Sequence, residues 1–366
     1  MQFIAEYIWT DQKAYFRSKA RTITMNIPDG KEPKNRLQLE QILKDPGLYN
    51  EWSYDGSSTG EADGNFSEII LKPVAVFMDP FRRAPNVLVL CDTYNPATNE
   101  PMPTTHRPWA KKLFNKDLNK HPWYGLEQEF FIMQPQKNMS SVGTVPLGFS
   151  RNEYEPKYKI NPQGQYYCSV GSNNAFGRVI TDEAYKLCLE SGVNASGMNA
   201  EVAPGQWEIQ VGPCEGIAAG DHLQIARYIL HRVGEKHNVQ INYQPKPVKG
   251  DWNGSGCHSN FSTKETREGS GGKSGLEFIY DAVKKLEKKH DQHMSGYGEG
   301  NIERMSGNHE TSSFDKFTYG VANRGASIRI PQNTETNGKG YFEDRRPGAN
   351  VNPYLVIGKI FETVCL

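Results

Sequence analysis

Several short runs in the last two-thirds of the chain place acidic or metal-ligating side chains on one strand face and large apolar ones on the other. Strands present alternate residues to one side. In YGLEQEFF (124–131), Glu127 and Glu129 share a face. In QWEIQVG (206–212), Glu208 and Gln210 lie opposite Trp207, Ile209 and Val211. In CHSNFS (257–262), His258, Asn260 and Ser262 fall together. In NAEVAP (199–204), Glu201 opposes Ala200 and Val202, and in GYFEDRR (340–346) Tyr341, Glu343 and Arg345 share a side. Glutamate is disfavoured in strands, so its recurrence needs a reason. Taken one strand at a time, the pattern is equally that of a solvated antiparallel face. Taken together, carboxylates in one group and arginines (Arg304, Arg324, Arg329, Arg345) in another, beside Gly-rich turns, differ from the mixed Lys, Thr, Arg and Glu of an ordinary wet face.

If Glu127, Glu129, Glu201, Glu208, Glu343 and His258 converge, repulsion raises their carboxyl pKa values or forces the strands apart. Divalent cations remove that conflict, and an oxygen-rich set suits Mg²⁺ or Mn²⁺. No Cys/His spacing fits structural zinc. Guanidinium forks grip carboxylates and phosphates at two points, so metals with arginines describe a phosphoryl-transfer site. No GxxxxGK[ST] loop and no kinase signature set occurs. ATP would then be held by metals and arginines.

At 366 residues the chain suits two domains. The first hundred residues read as strands with one short helix: IAEYIWTD paired with RSKARTITM, a helix over LQLEQILKDPG, then EIILKPVAVFMDP and NVLVLCDTY around the RRAPN turn. A Pro- and Asn-rich stretch marks a boundary near 103, giving domains 1–103 and 104–366. Helices are expected over 106–121, 181–192, 220–238, 276–293 and 354–366, and polar or Gly-rich loops over 135–165 and 263–275. The class is α+β. Lys plus Arg equals Asp plus Glu at 42 each, giving no electrostatic case for nucleic acid or an anionic membrane. No apolar run reaches a membrane span, the N-terminus lacks a signal-peptide pattern, and the six scattered cysteines read as free thiols of a reducing cytoplasm. His231, His290 and His293 read as surface or packing residues, Cys257 as an inert thiol, and GSGGKSG (269–275) as a flexible linker.

Seven motifs then become specific: YDGSST (54–59), GLEQEF (125–130), NAEVAPGQWEIQVGP (199–213), KGDWNGSGCHSNFSTKE (249–265), HET (309–311), GVANRGASIRIP (320–331) and GYFEDRRPGAN (340–350). In this order they resemble glutamine synthetase of the eukaryotic type (class II), over nearly the whole chain. The resemblance implies a small β-grasp-like N-terminal domain and a larger catalytic domain with a curved antiparallel sheet flanked by helices. It implies a homodecamer of two pentameric rings with active sites between subunits.

The same resemblance assigns roles. Glu129, Glu201 and Glu208 match ligands of the metal facing glutamate and ammonia. Glu127, His258 and Glu343 match those of the metal facing ATP phosphates. Arg304 matches the grip on the substrate α-carboxylate, with Glu201, Trp252, Gly254 and His258 also at the substrate. Arg324 and Arg345 match the pair at the transferring phosphoryl group, and Arg329 an ATP phosphate contact. Trp123, Glu208, Pro213, Asn260, Ser262 and Tyr341 fall at the nucleotide. Asp55 matches the ammonium-binding aspartate of an adjacent subunit, and Glu310 a flap glutamate. The expected partners are L-glutamate, ammonium and ATP, with two or three Mg²⁺ or Mn²⁺ ions per site. The expected activity is ATP-dependent ligation of ammonia to glutamate. A ligase for a larger amine and an inactive relative are the alternatives. Asn308 and Gln332 depart from the family's usual residues.

Overall fold

The structure is a computed structural model that describes residues 1–26, 33–135, 144–149 and 163–366. The chain divides into two compact units, one of residues 1–109 with 187–193, the other of 110–186 with 194–366. No helix among the described residues is long and apolar enough to cross a membrane.

The first unit is built on strands β1 (Gln2–Thr10), β2 (Phe16–Thr24), β3 (Trp52–Asp55), β4 (Glu68–Met78) and β5 (Val87–Tyr94), in the order β2-β1-β5-β4-β3. The expected β1–β2 pairing is present, from Gln2 opposite Thr24 to Thr10 opposite Phe16. β1 and β5 run parallel at the centre. That position explains why β5 is buried almost throughout, whereas edge strand β2 alternates with solvent. Tyr7, Trp9, Tyr54, Leu71, Val87 and Val89 form the core of one face. Asn35 caps helix Arg36–Leu43, accepting from the Gln38 N–H, and Leu43 docks it on that core.

The second unit holds a nine-stranded sheet: β6 (Trp123–Pro135), β7 (Thr144–Pro146), β8 (Ala195–Ala200), β9 (Gln206–Glu215), β10 (Gln240–Asn242), β11 (Cys257–Ser262), β12 (Tyr319–Val321), β13 (Ile328–Ile330) and β14 (Phe342–Asp344). The order is β12-β13-β14-β11-β6-β9-β8, with β7 and β10 on the far end of β6. The pairs are antiparallel except β12 with β13. One face is covered by helix Ala218–His237, whose Leu223, Ile225, Ile229, Leu230 and Val233 are buried, and by the C-terminal helix Pro353–Cys365. The Tyr124 hydroxyl ties β6 to that helix by donating to the Ile357 carbonyl at 2.8 Å.

Several expectations are corrected. Glu201 lies one residue beyond β8, at the mouth of the β8–β9 hairpin, where its N–H donates to the Gln206 carbonyl at 2.9 Å. The helix over 106–121 ends at Phe114, because Asp117 restarts the chain as the short turn Leu118–Lys120. The helix over 276–293 breaks at Lys289 and resumes as His290–Met294. GSGGKSG is an ordered turn: Ser270 and Lys273 bond each other, and Ser274 opens helix Gly275–Lys288 with a capping box. Of the 135–165 loop, Thr144–Pro146 pairs with β6, while 136–143 and 150–162 lie outside the described residues.

The break at Lys289 serves the back of β14. Alternation sends Glu343 and Arg345 to the open face and Asp344 and Arg346 into the core. Arg346, wholly buried, donates to Asp344 through Nε (2.8 Å) and Nη2 (2.7 Å). Asp344 also accepts from the Tyr297 hydroxyl at 2.9 Å. His293 bonds Tyr297 and Thr363, and His290 meets Arg346 at 3.2 Å. Both histidines are thus packing residues, as expected. Burial alone would push the Asp344 carboxyl up, but the Arg346 guanidinium more than offsets it and holds the group below its ordinary range. Asp344→Ala strands a buried guanidinium and is expected to cost about 3–5 kcal/mol in denaturant unfolding. Replacing both partners, as in Asp344→Leu with Arg346→Met, should recover most of that loss; a single variant within about 1 kcal/mol of wild type would contradict this account.

Candidate functional site

Strand register determines which side chains meet. β6 pairs Glu129 with Glu208 and Glu127 with Gln210 on β9. On its other side β6 pairs Glu127 with His258 and Gly125 with Asn260 on β11. β14 continues the row, with Glu343 opposite Asn260, and β13 sets Arg329 opposite Glu343. On the open face of the sheet this brings charged side chains from five strands to one cleft.

The cleft has a volume of about 220 Å³ and is lined almost entirely by polar groups. Glu127, Glu129, Glu201, Glu208, His258, Glu343, Arg304, Arg324, Arg329, Arg345, Glu310 and Gly254 all border it. Two sets of donors lie within 4.8 Å of one another: Glu129, Glu201 and Glu208, and Glu127, Glu208 and His258. Glu208 belongs to both. Each carboxylate is aimed by a fixed donor. Glu129 accepts from the Gly256 N–H at 2.7 Å, Glu208 from Gln210 at 2.8 Å, Glu201 from Asn199 at 3.0 Å and Glu127 from Asn260 at 2.8 Å.

These groups cannot all be ionised without compensation. Burial pushes Glu129 up to about 7, against the pull of Arg304. Burial and then repulsion from Glu129 push Glu201 up to about 8. Burial and three neighbouring carboxylates carry Glu208 well above the usual range. His258 is driven well below its ordinary value by burial and by Arg345, so its imidazole is neutral, the form that ligates metals. Clustered oxygen donors with raised pKa values and one neutral imidazole fit a hard divalent cation.

Glu343 stands apart from the two sets. Its Oε1 lies 3.5 Å from His258 Nδ1 and accepts from Arg345 at 2.7 Å, while Oε2 pairs with Arg329 at 2.7 Å. Arg304 is buried and donates to the carbonyls of Arg345 (2.9 Å) and Arg346 (3.2 Å) and toward His258 Nε2 (3.2 Å). Arg324 reaches outward to Glu310 at 3.2 Å.

A second, largely apolar cavity of about 390 Å³ adjoins the first, sharing Glu127 and Gln210. Trp123, Pro213, Asn260, Ser262 and Tyr341 line it, and Trp123 and Tyr341 expose ring surface there. Gly212 forms part of its wall. At φ +124°, any Cβ there would meet the Tyr124 carbonyl oxygen at 2.4 Å, so only glycine lets β9 follow the β6 bulge. Arg267 is a site residue that sequence reasoning missed. Its guanidinium stacks 4.0 Å over the Trp123 ring and donates to Ser262 at 2.8 Å and the His121 carbonyl at 2.9 Å. It sits in a short capped helix after STKE, and no residue-type pattern marks it. Asn199, Tyr167 and Asn253 also border the polar cleft. Trp252 lines neither cavity; its indole packs at 5.0 Å against Phe149 in the core.

Asp55 belongs to the first unit, where it ends β3 and caps the next turn. It is exposed, and bonds from Ser57, Ser67 and Ser58 hold its carboxyl well below the usual carboxylate range. Glu310 follows His309 on a turn closed by the Thr311 N–H to the Asn308 carbonyl at 3.2 Å. Both central residues have left-handed φ, 53° and 59°. That conformation costs roughly 1–2 kcal/mol per residue when glycine is absent.

Raised carboxyls have a stability signature. With divalent ions chelated, Glu129 and Glu201 bind protons in the folded chain that the unfolded chain releases near pH ~4.3. Their contribution is therefore fully present below that pH and is lost as pH rises through about 7 and 8. Thermal melts in chelator should fall from about pH 5.5 to about pH 8.5, and Mn²⁺ should raise Tm more at the upper pH. A pH-independent Mn²⁺ increment would contradict this.

Family models match both parts of the chain: the glutamine synthetase beta-Grasp domain over residues 4–96, and the glutamine synthetase catalytic domain over 107–270 and 303–365. A glutamine synthetase cytosolic isozyme of Daucus carota is 48% identical over 367 residues, spanning 100% of this chain and 95% of its own. A glutamine synthetase of Neurospora crassa is 48% identical over 362 residues, with 99% and 91% covered. A chloroplastic glutamine synthetase of Brassica napus is also 48% identical, with 100% and 78% covered.

Proposed function

The chain belongs to the glutamine synthetase family, and from that premise we propose how its own residues perform the reaction. It is a glutamate–ammonia ligase that uses ATP to join ammonia to the γ-carboxylate of L-glutamate. The single observation that carries the residue assignment is the polar cleft beside an aromatic-walled slot, joined at Glu127 and Gln210.

Adenine and ribose occupy the slot between Trp123, Pro213, Ser262 and Tyr341, with the phosphates directed past Glu127 toward Arg329, Arg324 and Arg345. Glu129, Glu201 and Glu208 would hold one Mg²⁺ or Mn²⁺. Glu127, Glu208 and His258 would hold another, and Glu343, beside His258 and bonded to Arg345 and Arg329, would reach it only if those pairs opened. Bound, these ions supply charge neutralisation at the phosphates and the carboxylate. Glutamate lies beside Gly254, its α-carboxylate toward Arg304. A γ-carboxylate oxygen attacks the terminal phosphorus of ATP, the bond to the β-phosphate oxygen breaks, and ADP leaves. Arg324 and Arg345 offer guanidinium N–H groups to the transferring oxygens. The product, γ-glutamyl phosphate, has the leaving group that glutamate lacks.

Asp55 remains anionic through the physiological range, which suits it to hold ammonium and orient it while its proton is lost to solvent. Freed ammonia attacks the acyl carbon and phosphate departs. Asp55 comes from a neighbouring subunit, in a decamer of two stacked pentameric rings. Glu310 covers the intermediate against water. We assign residues 1–103 to the N-terminal domain and 104–366 to the catalytic domain, and place the protein in the cytoplasm, as in the cytosolic relatives.

Purified protein should release phosphate in step with glutamine only when glutamate, ammonium, ATP and Mg²⁺ or Mn²⁺ are all present. Methylamine or a polyamine outperforming ammonium would replace this reading with a larger-amine ligase, and no turnover with any amine would leave an inactive relative. Asp55→Ala should raise the ammonium KM by roughly tenfold or more with little change for ATP. Equal losses in both would remove Asp55 from the ammonium site.

A further inference from the structure

The turn that carries Glu310 breaks a local rule. Two successive left-handed residues at the centre of a tight turn are ordinarily Asn-Gly, yet here they are His309 and Glu310. The backbone closes through Thr311, whose hydroxyl also donates to the Asn308 carbonyl at 2.8 Å. Neither central residue is glycine, so the left-handed geometry carries a cost that groups outside the turn offset.

The His309 ring supplies two such ties. Its Nδ1 lies 2.8 Å from Gln163 Nε2, and its Nε2 lies 2.8 Å from Asp251 Oδ1. The Gln163 amide has only one useful orientation, because its Oε1 accepts from the Asn253 N–H at 3.0 Å. Its NH₂ group therefore faces the ring and donates to Nδ1. That leaves the hydrogen on Nε2, where it is donated to Asp251. Asp251 and Asn253 flank Trp252 in the segment that continues to Gly254 on the wall of the polar cleft. One imidazole thus fastens the Glu310 turn to the glutamate-side wall. Glu310's remaining anchors are weaker: its carbonyl accepts from Arg345 at 3.3 Å, and its half-exposed carboxylate pairs with Arg324 at 3.2 Å.

We propose that His309 is a positioning residue, latching the turn so that Glu310 stays over the acyl phosphate until ammonia arrives. The assignment rests on the reading that this site forms γ-glutamyl phosphate. The experiment measures phosphate released per glutamine formed at limiting ammonium for wild type, His309→Ala and His309→Gly. Alanine removes the ring and keeps the left-handed strain; glycine removes the ring and relieves it. The latch predicts that both variants release roughly threefold or more excess phosphate per glutamine, with the ATP KM unchanged. Gln163→Leu should reproduce part of the excess, and adding it to His309→Gly should add nothing further.

A His309→Gly enzyme coupled as tightly as wild type would mean that the turn needs only its backbone shape, and would overturn the proposal. If His309→Ala does not fold, the glycine and Gln163 variants carry the test. Wild-type protein that makes no glutamine would fail the underlying reading instead, and is a separate result.

Discussion

Electrostatic crowding on the open face of the β8-β9-β6-β11 strands is the constraint from which the rest of the structure follows. Backbone register alone sets Glu129 beside Glu208 and Glu127 beside His258. Burial then raises Glu129, Glu201 and Glu208 far from ordinary carboxyl behaviour. A protein keeps such a cluster only if something positive enters it, and the surrounding arginines are already engaged. Arg329 and Arg345 pair with Glu343, and Arg304 is bonded to backbone carbonyls. The demand for positive charge therefore falls on cations, which bring the phosphates with them.

The fold meets this demand by making the opposite face rigid. Residues alternating with the site ligands point into a packed core: Trp207, Ile209 and Val211 on β9, and Phe261 on β11. On β14 the alternation delivers a second, fully compensated pair, Asp344 with Arg346, anchored through Tyr297, His293 and His290. The closed pair behind the strand and the cleft-facing Glu343 and Arg345 before it are adjacent in sequence. The strand thus separates an electrostatically closed network from an open one, and the open one is where ligands can contribute.

Much of this was legible in the sequence because a strand converts spacing into facing. Alternation alone puts Glu127 with Glu129, Glu208 with Gln210 and His258 with Asn260 on the cleft face, and it marks most strands and the major helices. Glu201 was misplaced onto a strand because NAEVAP alternates, although the hairpin turn it enters is set by Gln206 across the gap. The break at Lys289 was hidden because KKLEKKHDQH keeps helical periodicity; only the distant Arg346 and Thr363 explain why His290 and His293 turn inward. Arg267 escaped notice because stacking on Trp123 is a long-range contact with no local signature. Likewise the sharing of Glu208 between two donor sets depends on three strands at once, which no single segment encodes.

The central claim is that these carboxylates exist to hold divalent cations, with Glu208 common to both positions. Counting bound Mn²⁺ by electron paramagnetic resonance in wild type, Glu201→Gln and Glu208→Gln tests it most directly. The account predicts that Glu201→Gln loses one tightly bound ion per subunit and that Glu208→Gln loses both. A Glu208→Gln protein that is folded and binds Mn²⁺ with wild-type stoichiometry would contradict it.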